Sequence, residues 1–149
     1  MIRVLGVLVM SVFLLIPALS FGVESCALTS SIEKTYSGSE IIKYNWVWVS
    51  AADGTASCTG VNMYGRIVKV VTDPSATAPT ASYDIDINED GLDVMNAALD
   101  NRSATLNEQA FAQKGTDAPG DVYVAGAVSA EVSAAGDTKG GRITIYLIP

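Results

Sequence analysis

Alternation of apolar and polar side chains is the feature that most constrains what this chain can fold into. In the segment EIIKYNWVWVS, residues 40–50, every second residue is large and apolar or aromatic: Ile42, Tyr44, Trp46 and Trp48. A repeat of two places these four side chains on one face of a β-strand, whereas an α-helix repeats every 3.6 residues. The segment therefore predicts a strand with one face turned to a core.

Further short runs with β-favouring residues follow, separated by Gly, Pro, Asp and Ser. No run alternates with a long helical pattern, so a parallel βαβ sheet is not indicated. We expect an all-β domain, an antiparallel β-sandwich or jelly roll of about seven strands, with loops at 51–60 and 73–80. Besides 40–50, the predicted strands are 27–36, 65–72, 81–88, 107–113, 120–136 and 142–148.

One segment has helical spacing. Leu92, Met95 and Leu99 recur at intervals of three and four residues within LDVMNAALDN, residues 92–101. This spacing places the three side chains on one side of a helix. The sequence predicts one short helix here, of a turn or two.

The N-terminus predicts export. Residues 4–22 carry no charge, they follow Arg3, and they contain the helix breaker Pro17 and then small residues. This order is typical of a signal peptide, which we expect to be a helix over 1–22 and to be cleaved before Val23. The rest of the 149-residue chain, 23–149, has the length of one domain with its own core.

Two alternatives to cleavage come from the same region. The apolar run is nearly long enough for an uncleaved membrane anchor, which Pro17 and the small residues disfavour. Lipidation at Cys26 is rejected, because Glu24 stands where a small or apolar residue is required. We therefore expect a secreted or periplasmic protein that leaves the membrane after cleavage.

Both cysteines, Cys26 and Cys58, lie in the exported part. In an oxidising compartment, two cysteines usually form a disulfide, and we expect one here. Two separate buried thiols are the alternative. A metal site built on them is poorly supported, because the chain has no histidine and no third cysteine.

The charge balance excludes some partners. The chain has 9 Lys and Arg against 16 Asp and Glu, a net charge of −7, and loss of Arg3 with the signal peptide makes this −8. Nucleic acids and anionic lipids are bound through basic surfaces. We therefore expect no nucleic-acid partner and an acidic, soluble domain.

The acidic stretch DINEDGLD raises the question of calcium. Counted from Asp86, oxygen-bearing side chains stand at Asp86, Asn88 and Asp90, and Gly91 follows, as at the start of a calcium-binding hand. The closing position of such a loop is Ala97, which has no ligand oxygen. We expect an acidic strand followed by a turn at Gly91. Weak calcium binding by Asp86, Asn88, Asp90 and Asp93 remains the alternative.

The aromatic face of the 40–50 segment has two interpretations. Tyr44, Trp46 and Trp48 could form a flat platform for a sugar ring, or they could fill the core. A small domain has few other large apolar side chains, so we expect the core, with Trp48 nearer its rim.

Catalytic chemistry finds little support in the sequence. The chain has no histidine that could activate a serine or cysteine. The carboxylates Asp84, Asp86 and Glu89 could serve glycoside hydrolysis, but they fall on an exposed strand and turn. We expect a protein that is not an enzyme and that needs no cofactor.

A set of motifs resembles a known family. WVSAADG, then GRIVKVVTDPSATAPTASYDIDINEDGLDV, and a late VSAAGDTKGGRITIY are similar to small proteins encoded in the structural gene regions of tailed phages and prophages. The similarity extends from about Trp48 to Tyr146. It implies a non-enzymatic β-sandwich with protein partners in a particle, such as a surface or decoration element of a virion. The signal peptide, Cys26 and Cys58 depart from this pattern and point to extracellular use.

The sequence thus leads to two hypotheses of different kinds. The first is a structural or interaction module, virion-associated if the resemblance holds. The second is a secreted module that binds a carbohydrate or, weakly, calcium.

Overall fold

The computed structural model describes residues 22–34, 38, 40–114 and 118–149. The signal helix was predicted over residues 1–22, and 1–21 of it lie outside these ranges. In the described part, no helix is long and apolar enough to cross a membrane. All regular elements of that part are strands: β1 (Ser25–Lys34), β2 (Glu40–Val49), β3 (Ala56–Pro74), β4 (Asp84–Glu89), β5 (Leu92–Asp93), β6 (Glu108–Ala110), β7 (Gln113–Lys114), β8 (Ala118–Pro119), β9 (Val122–Ser133) and β10 (Gly140–Ile148).

The strands form one antiparallel sheet in the order β1-β2-β10-β3-β9-β4-β5, with β6 paired to β3. Strands β7 and β8 pair separately. The all-β antiparallel class predicted from the sequence is confirmed. Eight strands in the main sheet exceed the expected seven, because β5 is a two-residue strand that no alternation could reveal.

Strand β3 belongs to two layers of this sheet. Its first part, from Ala56 to Ile67, pairs with β9, and its second part, from Arg66 to Pro74, pairs with β10. One layer therefore consists of β1, β2, β10 and the end of β3, and the other of the start of β3, β9, β4 and β5. This arrangement is that of a β-sandwich.

The core lies between the two layers. Alternate residues of each strand enter it, as the period of two requires. Trp46 and Trp48 of β2 are both 1% exposed, and the Trp48 ring contacts that of Tyr83, with centroids 5.8 Å apart. Other fully buried side chains include Met63, Val70, Ile85, Ile87, Leu99, Val128, Ile143, Ile145 and Leu147.

The predicted helix at 92–101 is wrong. Leu92 and Asp93 form β5, and residues 94–99 form turns. Asn96 and Ala97 have φ of 53° and 61°, outside the right-handed helical region. Met95 and Leu99 are nevertheless fully buried. The helical spacing of the apolar residues therefore arises because a looped segment packs them into the core.

The predicted loop at 51–60 is too long. Strand β3 begins at Ala56, where Ala56 and Cys58 turn inward and pair with Val132 and Ala130 of β9. The register shifts between Cys58 and Val61, which marks a bulge. Small residues with weak β preference are held in the strand by this pairing, an effect that local sequence does not reveal.

Candidate functional site

The acidic segment forms the β4–β5 hairpin. Its tip is Asp90-Gly91, where φ is 52° and 78°, and Glu89 and Leu92 pair across it. Positive φ at both central residues is the geometry of the tight turns that connect twisted strands. The predicted turn at Gly91 is confirmed, as is the alternation that buries Ile85 and Ile87.

Asp93, the last of the four candidate calcium ligands, has a structural role. Its carboxylate accepts backbone N–H groups from Ile87 at 3.3 Å, Met95 at 2.9 Å and Ala97 at 2.7 Å. These bonds occupy both oxygens and hold the turns that follow β5. A cation at Asp93 would compete with three backbone donors that have to be satisfied.

The remaining candidates, Asp86, Asn88 and Asp90, lie along the solvent side of the hairpin. Burial and, next, the nearby charge of Asp93 raise the pKa of Asp86, with further contributions from Asp100, Glu131 and Asp84. Among the described residues, no three His, Cys, Asp or Glu side chains are grouped so as to hold a metal ion. Weak calcium binding at this turn stays the alternative to a purely structural acidic turn.

The aromatic face of β2 lies mostly in the core. Trp46 and Trp48 are equally buried, so the expectation that Trp48 lies nearer the rim is wrong. Gly141 of β10 makes this possible, because a Cβ there would lie 2.8 Å from Cζ2 of Trp48. Tyr44 is half-buried at the edge of the core. This geometry leaves the two indoles no open face on which a sugar ring could stack.

The disulfide between Cys26 and Cys58 is present, with Cα atoms 5.2 Å apart. It joins β1 at the edge of one layer to the start of β3 in the other. Next to it, Glu24 accepts the backbone N–H of Ser57 at 3.1 Å. The N-terminal end of β1 is therefore fixed to the opposite layer.

The outer face of the first layer contains a polar cleft of about 370 Å³ that the amino-acid sequence does not predict. Cross-strand pairing places Tyr146 of β10 between Lys43 of β2 and Lys69 of β3. The two ammonium groups lie 5.1 and 4.8 Å from the centre of the Tyr146 ring, within the range of cation–π contacts.

The charges of this cleft are paired within the chain. Lys43 donates to Glu33 at 2.6 Å, and this hydrogen bond raises the pKa of Lys43. Arg142 donates to Asp73, and the Thr144 hydroxyl donates to Asn45 at 2.8 Å. The cleft thus concentrates cations of an acidic chain, but each carboxylate in it has a basic partner.

Strand β1 is the uncovered edge of the first layer. It pairs with β2 along its whole length, without a register shift, and its other side pairs with no strand in the described part. Leu28 is 38% exposed and Ile32 64% exposed, although both share the face of Cys26, which is turned toward the core. An edge strand of this kind leaves a row of backbone N–H and C=O groups without a strand partner.

The opposite end of the sheet is protected. The edge strand β5 has two residues and leads at once into turns. Strand β4 pairs with β9 only as far as Val128. The carboxylate of Glu89, the last residue of β4, accepts the backbone N–H of Ala125 at 2.7 Å and so covers part of the edge of β9 that β4 leaves free. Of these two ends, β1 is the one left open.

Comparison with known proteins adds no relative. No protein-family model matches the chain, and neither a curated protein nor a solved structure matches it significantly. The resemblance to phage and prophage structural proteins therefore rests on the quoted motifs and stays a prediction.

Proposed function

We propose that this protein is an exported, non-enzymatic structural or interaction module, a component of an extracellular assembly or of a phage-like particle. The open edge of β1 is the observation that carries this proposal. Exposed Leu28 and Ile32 on a long, uninterrupted edge strand are costly in a solitary soluble domain, because such edges associate with other chains.

The disulfide supports an exported location. It joins the two layers of the sandwich, and disulfides persist where the surroundings are oxidising. The absence of histidine from the sequence and the internal pairing of Glu33 and Asp73 favour a non-enzymatic role. Free, convergent acid–base groups are what hydrolysis would require.

Fractionation of the native host tests this function. Tagged protein is expressed at its natural level, and the exported fraction and any released particles are separated on a density gradient. We expect the protein to migrate with a high-mass assembly, and to remain there after a salt wash. Recovery as a free small species in every fraction would refute the assembly role.

The polar cleft favours a second function, binding of an acidic or hydroxyl-rich ligand such as an acidic oligosaccharide. Lys43 and Arg142 line the cleft, and Lys69 lies against the Tyr146 ring beside it, in a chain that is otherwise acidic. Titration of the ¹⁵N-labelled protein with neutral and uronic-acid oligosaccharides tests this.

The matched variants for that titration are Tyr146→Ala in the cleft and Tyr64→Ala, at an exposed position outside it. Ligand-induced shifts at the cleft that Tyr146→Ala abolishes and Tyr64→Ala preserves would support binding there. No shift with any sugar would exclude this function.

A further inference from the structure

We infer that β1 is the docking edge for β1 of a second copy of this chain, in an antiparallel, two-fold symmetric pair. The inference rests on the proposed interaction function and names its partner. It follows from the pattern of β1 itself, which complements its own antiparallel copy. A symmetric pair of this kind uses the same surface of both molecules.

The register is set by the two exposed apolar side chains. Leu28 and Ile32 lie on one face of β1, two positions on either side of Ser30. When the two-fold axis passes through Ser30, Leu28 of each copy lies opposite Ile32 of the other. A shift by two residues would instead oppose each of them to a serine, a lysine or a cysteine, so the Ser30-centred register covers the most apolar surface.

Charges agree with the antiparallel register. Glu33 is neutralised by Lys43 of its own chain and comes opposite Ala27 of the second copy. Parallel pairing in register would instead oppose Glu33 to Glu33.

The usual obstacles to edge pairing are missing from the centre of β1. Between Leu28 and Ile32 the strand has no proline, no charge and no bulge, and these are the devices that block edges. The disulfide at Cys26 fixes the N-terminal end of β1. Docking therefore costs little conformational entropy.

Sedimentation velocity of the cleaved protein, residues 23–149, measures this association across the micromolar range. We expect a reversible dimer, and Ile32→Lys should weaken it about tenfold or more, because a charge would replace an apolar contact. Leu92→Lys is the matched control: Leu92 is 70% exposed on the opposite edge strand, and its replacement should leave dimerisation unchanged.

Cysteine scanning tests the register independently of affinity. Ser30→Cys should form an interchain disulfide rapidly on mild oxidation, because the two residues face each other at the axis, whereas Ser31→Cys should do so slowly. Peptide mapping verifies that Cys26–Cys58 stays intact. A monomer at all concentrations without Ser30→Cys cross-linking would refute the pair, as would equal weakening by Ile32→Lys and Leu92→Lys.

The outcomes separate this inference from the proposed function. A monomer that migrates with a large assembly in the host would refute the self-pairing and keep the interaction role. A dimer that never enters an assembly would keep the pair and refute the assembly role.

Discussion

At the scale of single residues, the ionised carboxylate of Asp86 lowers the stability of the folded protein, because it is partly buried and lies near other carboxylates. It lies on β4 beside Glu131 of β9, and burial together with the neighbouring carboxylates raises its pKa. A raised pKa means that the folded protein disfavours the ionised form of Asp86. The folded state is therefore more stable at low pH, where Asp86 is protonated, and it loses this stability as the pH rises through the folded pKa.

Asp86→Asn should therefore raise the melting temperature at pH 7. The gain should vanish near pH 3, where the aspartate is protonated in both the folded and the unfolded chain. Thermal melting of both proteins at the two pH values measures this. An equal gain at both would show that charge is not the cause.

Gly141 is the residue on which the burial of Trp48 depends. A methyl group at this position would lie within 3.0 Å of two indole ring atoms and near the backbone oxygen of Asp73. Because a packed core has no spare volume, we expect Gly141→Ala to destabilise by about 1–3 kcal/mol.

Gly60→Ala is the matched control for this change. Gly60 also lies in the sheet, but a Cβ there would have its nearest neighbour at 3.6 Å, an ordinary contact. Urea unfolding should show little loss for this variant. Equal losses in the two would mean that the glycine backbone, and not the indole contact, is responsible.

At the scale of elements, the disulfide holds β1 against the start of β3. Cys26 and Cys58 are 32 residues apart in the chain, and closure of a loop of this size stabilises by about 3–4 kcal/mol in the chain-entropy model. The Cys26→Ala/Cys58→Ala double variant should lose about this much in urea unfolding. Unchanged stability would show that the hydrogen bond of Glu24 and strand pairing alone hold β1 in place.

The β4–β5 turn should respond weakly to calcium. Asp93 is occupied by backbone N–H groups, so few carboxylates remain to converge on an ion. If the dissociation constant is no better than millimolar, calcium at that concentration adds about 0.4 kcal/mol. Thermal melting with calcium and with EDTA, for the native protein and Asp90→Asn, checks this. A rise of many degrees that Asp90→Asn abolishes would establish a site.

The elements also show what local sequence can and cannot predict. The strands around Trp46, Ile85 and Ile143 were predictable, because apolar and polar residues alternate along each of these segments of the sequence. The start of β3 at Ala56 was not, because pairing with β9 holds small residues there. The false helix arose because Met95 and Leu99 are buried at helical spacing while positive φ at Asn96 and Ala97 breaks the helix.

The candidate sites depend even more on long-range pairing. The Lys43–Tyr146–Lys69 row requires β10 to lie between β2 and β3, and a single sequence does not specify this strand order. The open edge likewise follows from β1 being at the end of the sheet. The disulfide was predictable, because two cysteines allow only one pairing.

At the scale of the whole molecule, the sandwich has one protected end and one open end. Turns and Glu89 cover the side of β4 and β5. Strand β1 is a long edge with exposed Leu28 and Ile32 and no charged residue between them. In the proposed pair, this open edge is where the protein meets its partner, a second copy of itself.

Hydrogen exchange of the backbone amides, measured as a function of protein concentration, tests that claim most directly. Alternate amides of β1 point away from β2 and exchange freely in a single molecule, but they form hydrogen bonds in a pair. We predict that the segment 27–33 becomes protected as the concentration rises, while the segment around Leu92 does not change. Exchange of β1 that is independent of concentration, or new protection confined to the Tyr146 cleft, would contradict the account.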